Sequence, residues 1–401
     1  MPIGPIKMNK KTSWSKLLPV LLPVLGLILA APALAKNPMG TLQERAAGAD
    51  GKAGLDEWEK PQRVFQKIDA NGDAFTPAGE SASKGGMSMP ASHTTKTARA
   101  GPVPDLAPDG YETVIADVHM HPSPFNDPSD LLVWMDRNGV HWAGGGPVFG
   151  SRKLREHYRE VMGERYIPLG GQNMLLKIFF KHGVEGTEDA DNGMFQKLMA
   201  ELEEDFAAGR LKGIGEIFGN NRTSNPKPKL RRKSRIDAPT YKAMLDLAAR
   251  FDGVIQIHVQ MDEDSIQQLE GLADHNPDGI IVWAHCGSNS HPEQVRAVLQ
   301  RHGNIFCDLS ARHRPKLPPR VIAMRPHSEI FTAGSLDAGW KALIEDMPDR
   351  FMVGTDTKTE AHYDQGIETI RRGLLANLSA QTARKVAYQN AQKLFRLSAR
   401  P

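Results

Sequence analysis

Cysteine is nearly absent from the 401-residue chain, which holds only Cys286 and Cys307. Two cysteines exclude a disulfide framework, so stability must come from a buried apolar core. Both lie in apolar, strand-like runs, and the expectation is two buried thiols, with a disulfide between neighbouring strands as the less favoured alternative. An excess of one charge is also missing. There are 50 Lys and Arg against 47 Asp and Glu, but Lys7, Lys10, Lys11 and Lys16 fall in the first 35 residues, leaving 46 against 47. A near-neutral chain without interleaved basic and aromatic residues argues against a nucleic-acid partner. Long apolar runs are lacking too: the one at 17–30 has 14 residues and two prolines, short of the ~20 that span a bilayer.

That apolar run follows the four lysines and precedes "APALA", with Ala33 and Ala35 at the small-residue spacing a signal peptidase reads. Residues 1–35 are therefore expected to be a signal peptide, with the remainder periplasmic or secreted and not inserted stably in a membrane. Small, polar and Pro residues without apolar periodicity mark 81–110 as a linker. It separates a segment at 36–80 from a block at 111–401.

Within the block, short β-branched runs alternate with helical patterns. The strand candidates are 113–119, 140–144, 165–171, 211–217, 253–259, 279–285, 304–310 and 350–356. Eight alternations in slightly under 300 residues predict an α/β fold, a (β/α)8 TIM barrel, with a doubly wound open sheet as runner-up. The spacing around the second and third strands is uneven.

Polar residues then fall at the carboxyl ends of the apolar runs. His119 and His121, in "DVHMH", project from one face of the first strand, because side chains two apart point the same way. Glu216 closes the fourth run, His258 the fifth, His285 the sixth and Asp356 the eighth. Singly, each has an ordinary explanation, such as a satisfied core histidine, an ion-paired glutamate or a helix N-cap. In a barrel, however, strand carboxyl ends converge on one face, where active sites are built. Six such residues on five strands read together as a metal site.

This order, H-x-H after strand one, Glu after strand four, His after five and six and Asp after eight, resembles the amidohydrolase superfamily of metal-dependent hydrolases. "GIGEI" resembles its TatD-like branch, and "YQNAQKLFRL" is similar to the closing helix of the amidohydrolase-2 group, which includes decarboxylases. The resemblance implies that His119, His121 and Asp356 hold one divalent ion. In binuclear members His258 and His285 hold a second, with Glu216 bridging; in mononuclear members His258 joins the first metal and His285 polarises substrate. Glu216 favours two ions. No lysine ends the fourth strand, so the carboxylated-lysine bridge of many binuclear relatives is not available.

Such ligands suit zinc first, with manganese or iron as alternatives, and an open site lowers the pKa of water toward neutrality. Asp356 is then expected to move the proton, and His285 or the second ion to stabilise charge on the attacked oxygen. Asp117, on the same strand, is expected to orient a ligand histidine. The reading is an exported metal-dependent hydrolase of a small molecule carrying an ester, amide, lactone or phosphoester bond. A decarboxylase and a non-catalytic calcium-binding scaffold are the alternatives.

After Glu216, Arg222, Lys227, Lys229, Arg231, Arg232, Lys233 and Arg235 place seven positive charges and no acid in 14 residues. On the catalytic face such a run can attract an anionic substrate, although a solvated insertion is the commoner explanation. Arg312 and His313, just past strand seven, are candidate substrate contacts. In the segment before the linker, Asp69, Asn71, Asp73, the Phe75 carbonyl and Glu80 take positions 1, 3, 5, 7 and 12 of a loop that resembles an EF-hand. Ala74, Thr76 and Pro77 depart from that pattern; calcium binding of weak affinity is nonetheless the favoured expectation, with a turn that holds no calcium as the alternative.

Overall fold

Each of the eight apolar runs forms a strand in the computed structural model, which describes residues 113–146, 152–223, 231–313, 329–357 and 359–399. The strands are β1 (Ile115–Asp117), β2 (Val140–Gly145), β3 (Tyr166–Gly170), β4 (Gly213–Asn220), β5 (Val254–Val259), β6 (Ile280–Ala284), β7 (Ile305–Asp308) and β10 (Phe351–Met352). They pair parallel in sequence order. Beyond the paired residues, Val118 N–H donates to the Val353 carbonyl at 3.2 Å and Asp356 N–H to the His119 carbonyl at 2.6 Å, drawing the last strand against the first. The result is the (β/α)8 barrel. The proposed signal peptide, EF-hand-like segment and linker lie outside the described residues.

Alternation at period two sorts the strand side chains into two buried layers. On β5, Ile255 and Ile257 join the large cluster that the helices share, whereas Val254 packs with Trp142, Val282 and Met352 in a smaller one. Ala391, Leu394 and Phe395 near the C-terminus complete that smaller cluster. The helices present matching apolar stripes, as on Pro239–Arg250, which buries Tyr241, Met244, Leu245 and Ala248.

The uneven spacing has a structural cause. Two helices, Gln172–Glu188 and Gly193–Ala207, separate β3 from β4. A short antiparallel hairpin, β8 (Phe331–Thr332) with β9 (Ser335–Leu336), stands between β7 and β10. The fourth strand also runs further than expected, so Glu216 sits inside β4 and not at its end, next to a register irregularity between Ile214 and Ile217.

The expectation of two free thiols is overturned, because Cys286 and Cys307 form a disulfide. Trp283 is in register with Cys307 across the β6–β7 pair, and the chain turns just after β6, bringing the two Cα atoms to 4.9 Å. That separation lies within the range a disulfide spans. Among the described residues no helix is long and apolar enough to cross a membrane.

Candidate metal centre

Glu216 stands at the middle of the polar cluster. Its Oε2 lies 3.5 Å from His119 Nε2 and 3.7 Å from His121 Nε2. Its Oε1 lies 2.7 Å from His258 Nδ1 and 3.2 Å from His285 Nε2. Asp356 Oδ1 approaches from β10, 3.2 Å from His121 Nε2 and 3.9 Å from His119 Nε2. The six residues singled out from strand ends thus meet, and all are buried except Asp356, whose side chain is 29% exposed. Gly354 makes room for the cluster: a Cβ there would sit 2.6 Å from His119 Cβ and 3.0 Å from Ser310 Cβ.

The imidazoles are aimed from behind. His119 Nδ1 lies 3.1 Å from Asp308 Oδ2 and 3.0 Å from Ser310 Oγ. His285 Nδ1 lies 2.8 Å from Ser310 Oγ, and His121 Nδ1 lies 3.0 Å from the Gly146 carbonyl. Each contact leaves the Nε2 of its ring turned toward the carboxylates. Asp308 Oδ2 also accepts from Gln256 Nε2 at 3.0 Å, and its Oδ1 accepts from the backbone N–H groups of His285 and Ser310 at 3.2 and 3.1 Å.

The expectation for Asp117 is therefore corrected. Among the described residues it hydrogen-bonds no histidine ring, and instead accepts from Thr355 N at 3.0 Å, Thr355 Oγ1 at 2.7 Å and the His119 backbone N–H at 3.2 Å. It ties β1 to the residue before Asp356, while Asp308 does the orienting. Asp308, Ser310 and Gln256 are the site residues that the sequence reading missed. Their signal was present, since a carboxylate closing the apolar run "NIFCD" has the same form as the Asp, Glu and His that close the other runs.

Electrostatically the cluster favours positive charge. Burial works against protonating His119, yet the carboxylates of Asp308 and Glu216 hold its pKa well above the usual imidazole value. Burial likewise opposes ionisation of Glu216, but the charge of His119 beside it and the close contacts of His258 and His285 keep it ionised well below the usual range. Burial alone pushes Asp117 up to about 6, and it lowers His258 despite the Glu216 contact. Among the described residues His119 Nε2 is buried without a hydrogen-bond partner, a costly state for a polar nitrogen. Donor atoms of His119, His121 and Asp356 lie within 4.8 Å of one another, as do those of His119, Glu216 and His285. Imidazole and carboxylate donors with an orphaned nitrogen at their centre fit a divalent transition-metal ion.

The flanking candidates are placed unevenly. Arg312 is fully buried, donates from Nη2 to the Ser290 carbonyl at 3.2 Å and lies over the Trp340 ring; among the described residues its Nε and Nη1 have no partner, and burial lowers it to about 9. His313 is buried against the Phe331 ring, and burial lowers it to about 4, with Asp356 opposing. Of the basic run, Lys233 pairs with Asp262 and Asp264, and Arg235 with Asp237. Arg232 instead turns inward, its guanidinium 4.3 Å from the Phe218 ring centroid and 4.7 Å from that of Phe179. Phe218 in turn lies 5.7 Å from the His258 ring. Lys227, Lys229 and the calcium candidates Asp69, Asn71, Asp73, Phe75 and Glu80 lie outside the described residues.

A family model described as amidohydrolase matches residues 189–397, more than half of the chain. No curated protein matches it. Among solved structures, an amidohydrolase from Burkholderia multivorans with bound zinc is 13% identical, with 71% of this chain and 100% of that one covered at a TM-score of 0.45. A probable 2-pyrone-4,6-dicarboxylic acid hydrolase from Acinetobacter baumannii is 12% identical, with 70% and 98% covered at 0.47. A 5-carboxyvanillate decarboxylase from Novosphingobium aromaticivorans, complexed with manganese, is 13% identical, with 67% and 80% covered at 0.39.

Proposed function

The chain belongs to the amidohydrolase family, and from that premise we propose that it is an exported hydrolase with a two-ion centre acting on a small anionic ester, amide, lactone or phosphoester. The observation that carries this reading is Glu216, one carboxylate whose two oxygens are divided between the pair His119 and His121 and the pair His258 and His285. His119, His121 and Asp356 would hold one ion and His258 and His285 the other, with Glu216 available to both. Zinc is the first choice for that donor set and manganese the second. A divalent ion bound there supplies Lewis acidity toward a carbonyl or phosphoryl oxygen and acidifies water.

The protein's own groups do the rest. Asp356 is the most exposed carboxylate of the cluster, placed to take a proton from the attacking water at its carboxylate oxygen and return it to the leaving group. His285, with Nδ1 held by Ser310, keeps Nε2 for the second ion, which would take up charge on the attacked oxygen; in a one-ion site the same Nε2 would donate to that oxygen instead. Arg232 brings positive charge within one aromatic ring of His258, which supports an anionic substrate. Arg312 and His313 are further substrate contacts in this scheme, and the two unsatisfied nitrogens of Arg312 are the reason to retain it. The Cys286–Cys307 disulfide supports an oxidising compartment, in keeping with export.

The test starts from metal content. Elemental analysis of the exported chain is expected to give two transition-metal ions per chain, and a screen of lactones, amides, carboxylic acids and phosphoesters to find hydrolysis that a chelator abolishes. A chain that holds no transition metal and gains no activity with zinc or manganese would refute the reading. Release of carbon dioxide without hydrolysis would transfer the site to the decarboxylase alternative.

A further inference from the structure

The Cys286–Cys307 bond has no part in the chemistry above, yet its neighbours in sequence do. Cys286 follows His285 directly, and Cys307 directly precedes Asp308. The β6–β7 ladder pairs Ile281 with Ile305, Val282 with Phe306 and Trp283 with Cys307, and the recorded pairing ends at that rung. Past it the chain leaves extended geometry, with positive φ at His285, Cys286 and Ser288. Between β6 and β7, therefore, ladder hydrogen bonding no longer joins the two site residues, although Asp308 still pairs with Met352 of β10 on its other side.

What does hold them is a short relay. His285 N–H donates to Asp308 Oδ1 at 3.2 Å, and Ser310 Oγ lies 2.8 Å from His285 Nδ1 and 3.0 Å from His119 Nδ1. The facing of both rings depends on the separation of the β6 and β7 ends. A disulfide one residue beyond His285 and one before Asp308 fixes that separation covalently, and both of its residues are fully buried, out of reach of a bulky reductant.

We propose that the Cys286–Cys307 disulfide is a positioning crosslink, holding His285 and Asp308 in the register at which the His119 and His285 nitrogens face the metal centre. Its effect passes through those histidines, so the proposal rests on the metal-centre reading. Partners that orient ligand histidines typically change metal affinity by ~10–100-fold when lost.

The measurement compares three forms of the full chain: the oxidised wild type, a Cys286→Ala/Cys307→Val double variant, and the wild type made in a reducing cytosol, where two thiols are verified by mass after alkylation. Zinc affinity is read by chelator competition, and ligand geometry by the visible absorption of the cobalt-substituted protein. Far-UV circular dichroism and cooperative unfolding check folding. The forms lacking the bond are expected to fold, to lose about tenfold or more in zinc affinity and to show an altered cobalt spectrum. Equal affinity and an unchanged spectrum in either folded form lacking the bond would overturn the proposal, leaving a bond that only staples the core. Failure of the oxidised wild type to bind zinc or cobalt would overturn the metal-centre reading, and this proposal with it.

Discussion

Replacing Asp308 with Asn tests how the site is aimed without altering any residue assigned to a metal. The carboxylate accepts from His119 Nδ1 and Gln256 Nε2 on one oxygen, and from the backbone of His285 and Ser310 and the Ser310 hydroxyl on the other. The amide of Asn must face one of these sets with its NH2. Turning it away from the three donors on Oδ1 sets NH2 against His119 and Gln256. Gln256 relieves the contact only by flipping its own amide, which forfeits its 3.2 Å bond to the Val118 carbonyl. His119 relieves it by moving its proton from Nδ1 to Nε2, the atom that faces Glu216 and Asp356. A protonated Nε2 cannot ligate.

One unrelieved donor contact and one weakened charge-assisted bond amount to about 2–4 kcal/mol of stability, which in a domain of this size lowers Tm by roughly 3–7 °C. The tautomer shift adds a loss of ~10–100-fold in metal affinity, or about 1.4–2.8 kcal/mol. Chelator competition with zinc at 25 °C, well below unfolding, separates the two effects, and Asp308→Glu controls for charge without shape. Zinc affinity within about threefold of wild type in a folded Asp308→Asn protein would refute the orienting role.

Gly354→Ala should displace His119, since its Cβ would stand 2.6 Å from that of His119; a metal occupancy equal to wild type would show that the backbone yields at no cost to the site. Arg312→Met removes a buried guanidinium that among the described residues has one hydrogen bond and no favourable charge partner, while keeping a stem that packs on Trp340. Its Tm is expected to hold or rise, with a gain on the order of 1 kcal/mol, whereas affinity for an anionic substrate falls; a Tm drop beyond about 5 °C would mark Arg312 as structural. His313 is lowered to about 4 by burial, below the ~6.5 of an unfolded imidazole. Between those values the unfolded chain binds a proton that the folded one refuses, so stability falls as pH drops from about 6.5 toward 4 and is unaffected above that window. Denaturant unfolding from pH 7 to 5 should therefore show a shallower decline in His313→Phe than in wild type, and identical slopes would refute the assignment.

The barrel was legible because a buried parallel strand must be a short apolar run, and runs such as "VIQIHV" at β5 have few other uses. The ligand candidates were legible for the converse reason: His258 or Glu216 inside such a run is costly unless it is paired. Asp308 obeys the same rule, but the histidine it orients is 189 residues away, and sequence alone does not join the two. The disulfide was misjudged on similar grounds. Cys286 and Cys307 are 21 residues apart, and sequence does not reveal that the turn after His285 swings one toward the other. Asp117 was misassigned because period two places it on the face of His119, whereas the register of β1 slips between Ile115 and Ala116, and its carboxylate meets Thr355 on the opposite edge. Sequence periodicity therefore specifies which residues must find partners, while the partners are set by strand register. Register here depends on irregularities, in β1 and β4, that carry no composition of their own. A metal centre spread over several strands is tolerant of that uncertainty, since its ligands need only reach a common point. Its orienting shell is not, because each hydrogen bond needs its partner at about 3 Å and in the right direction.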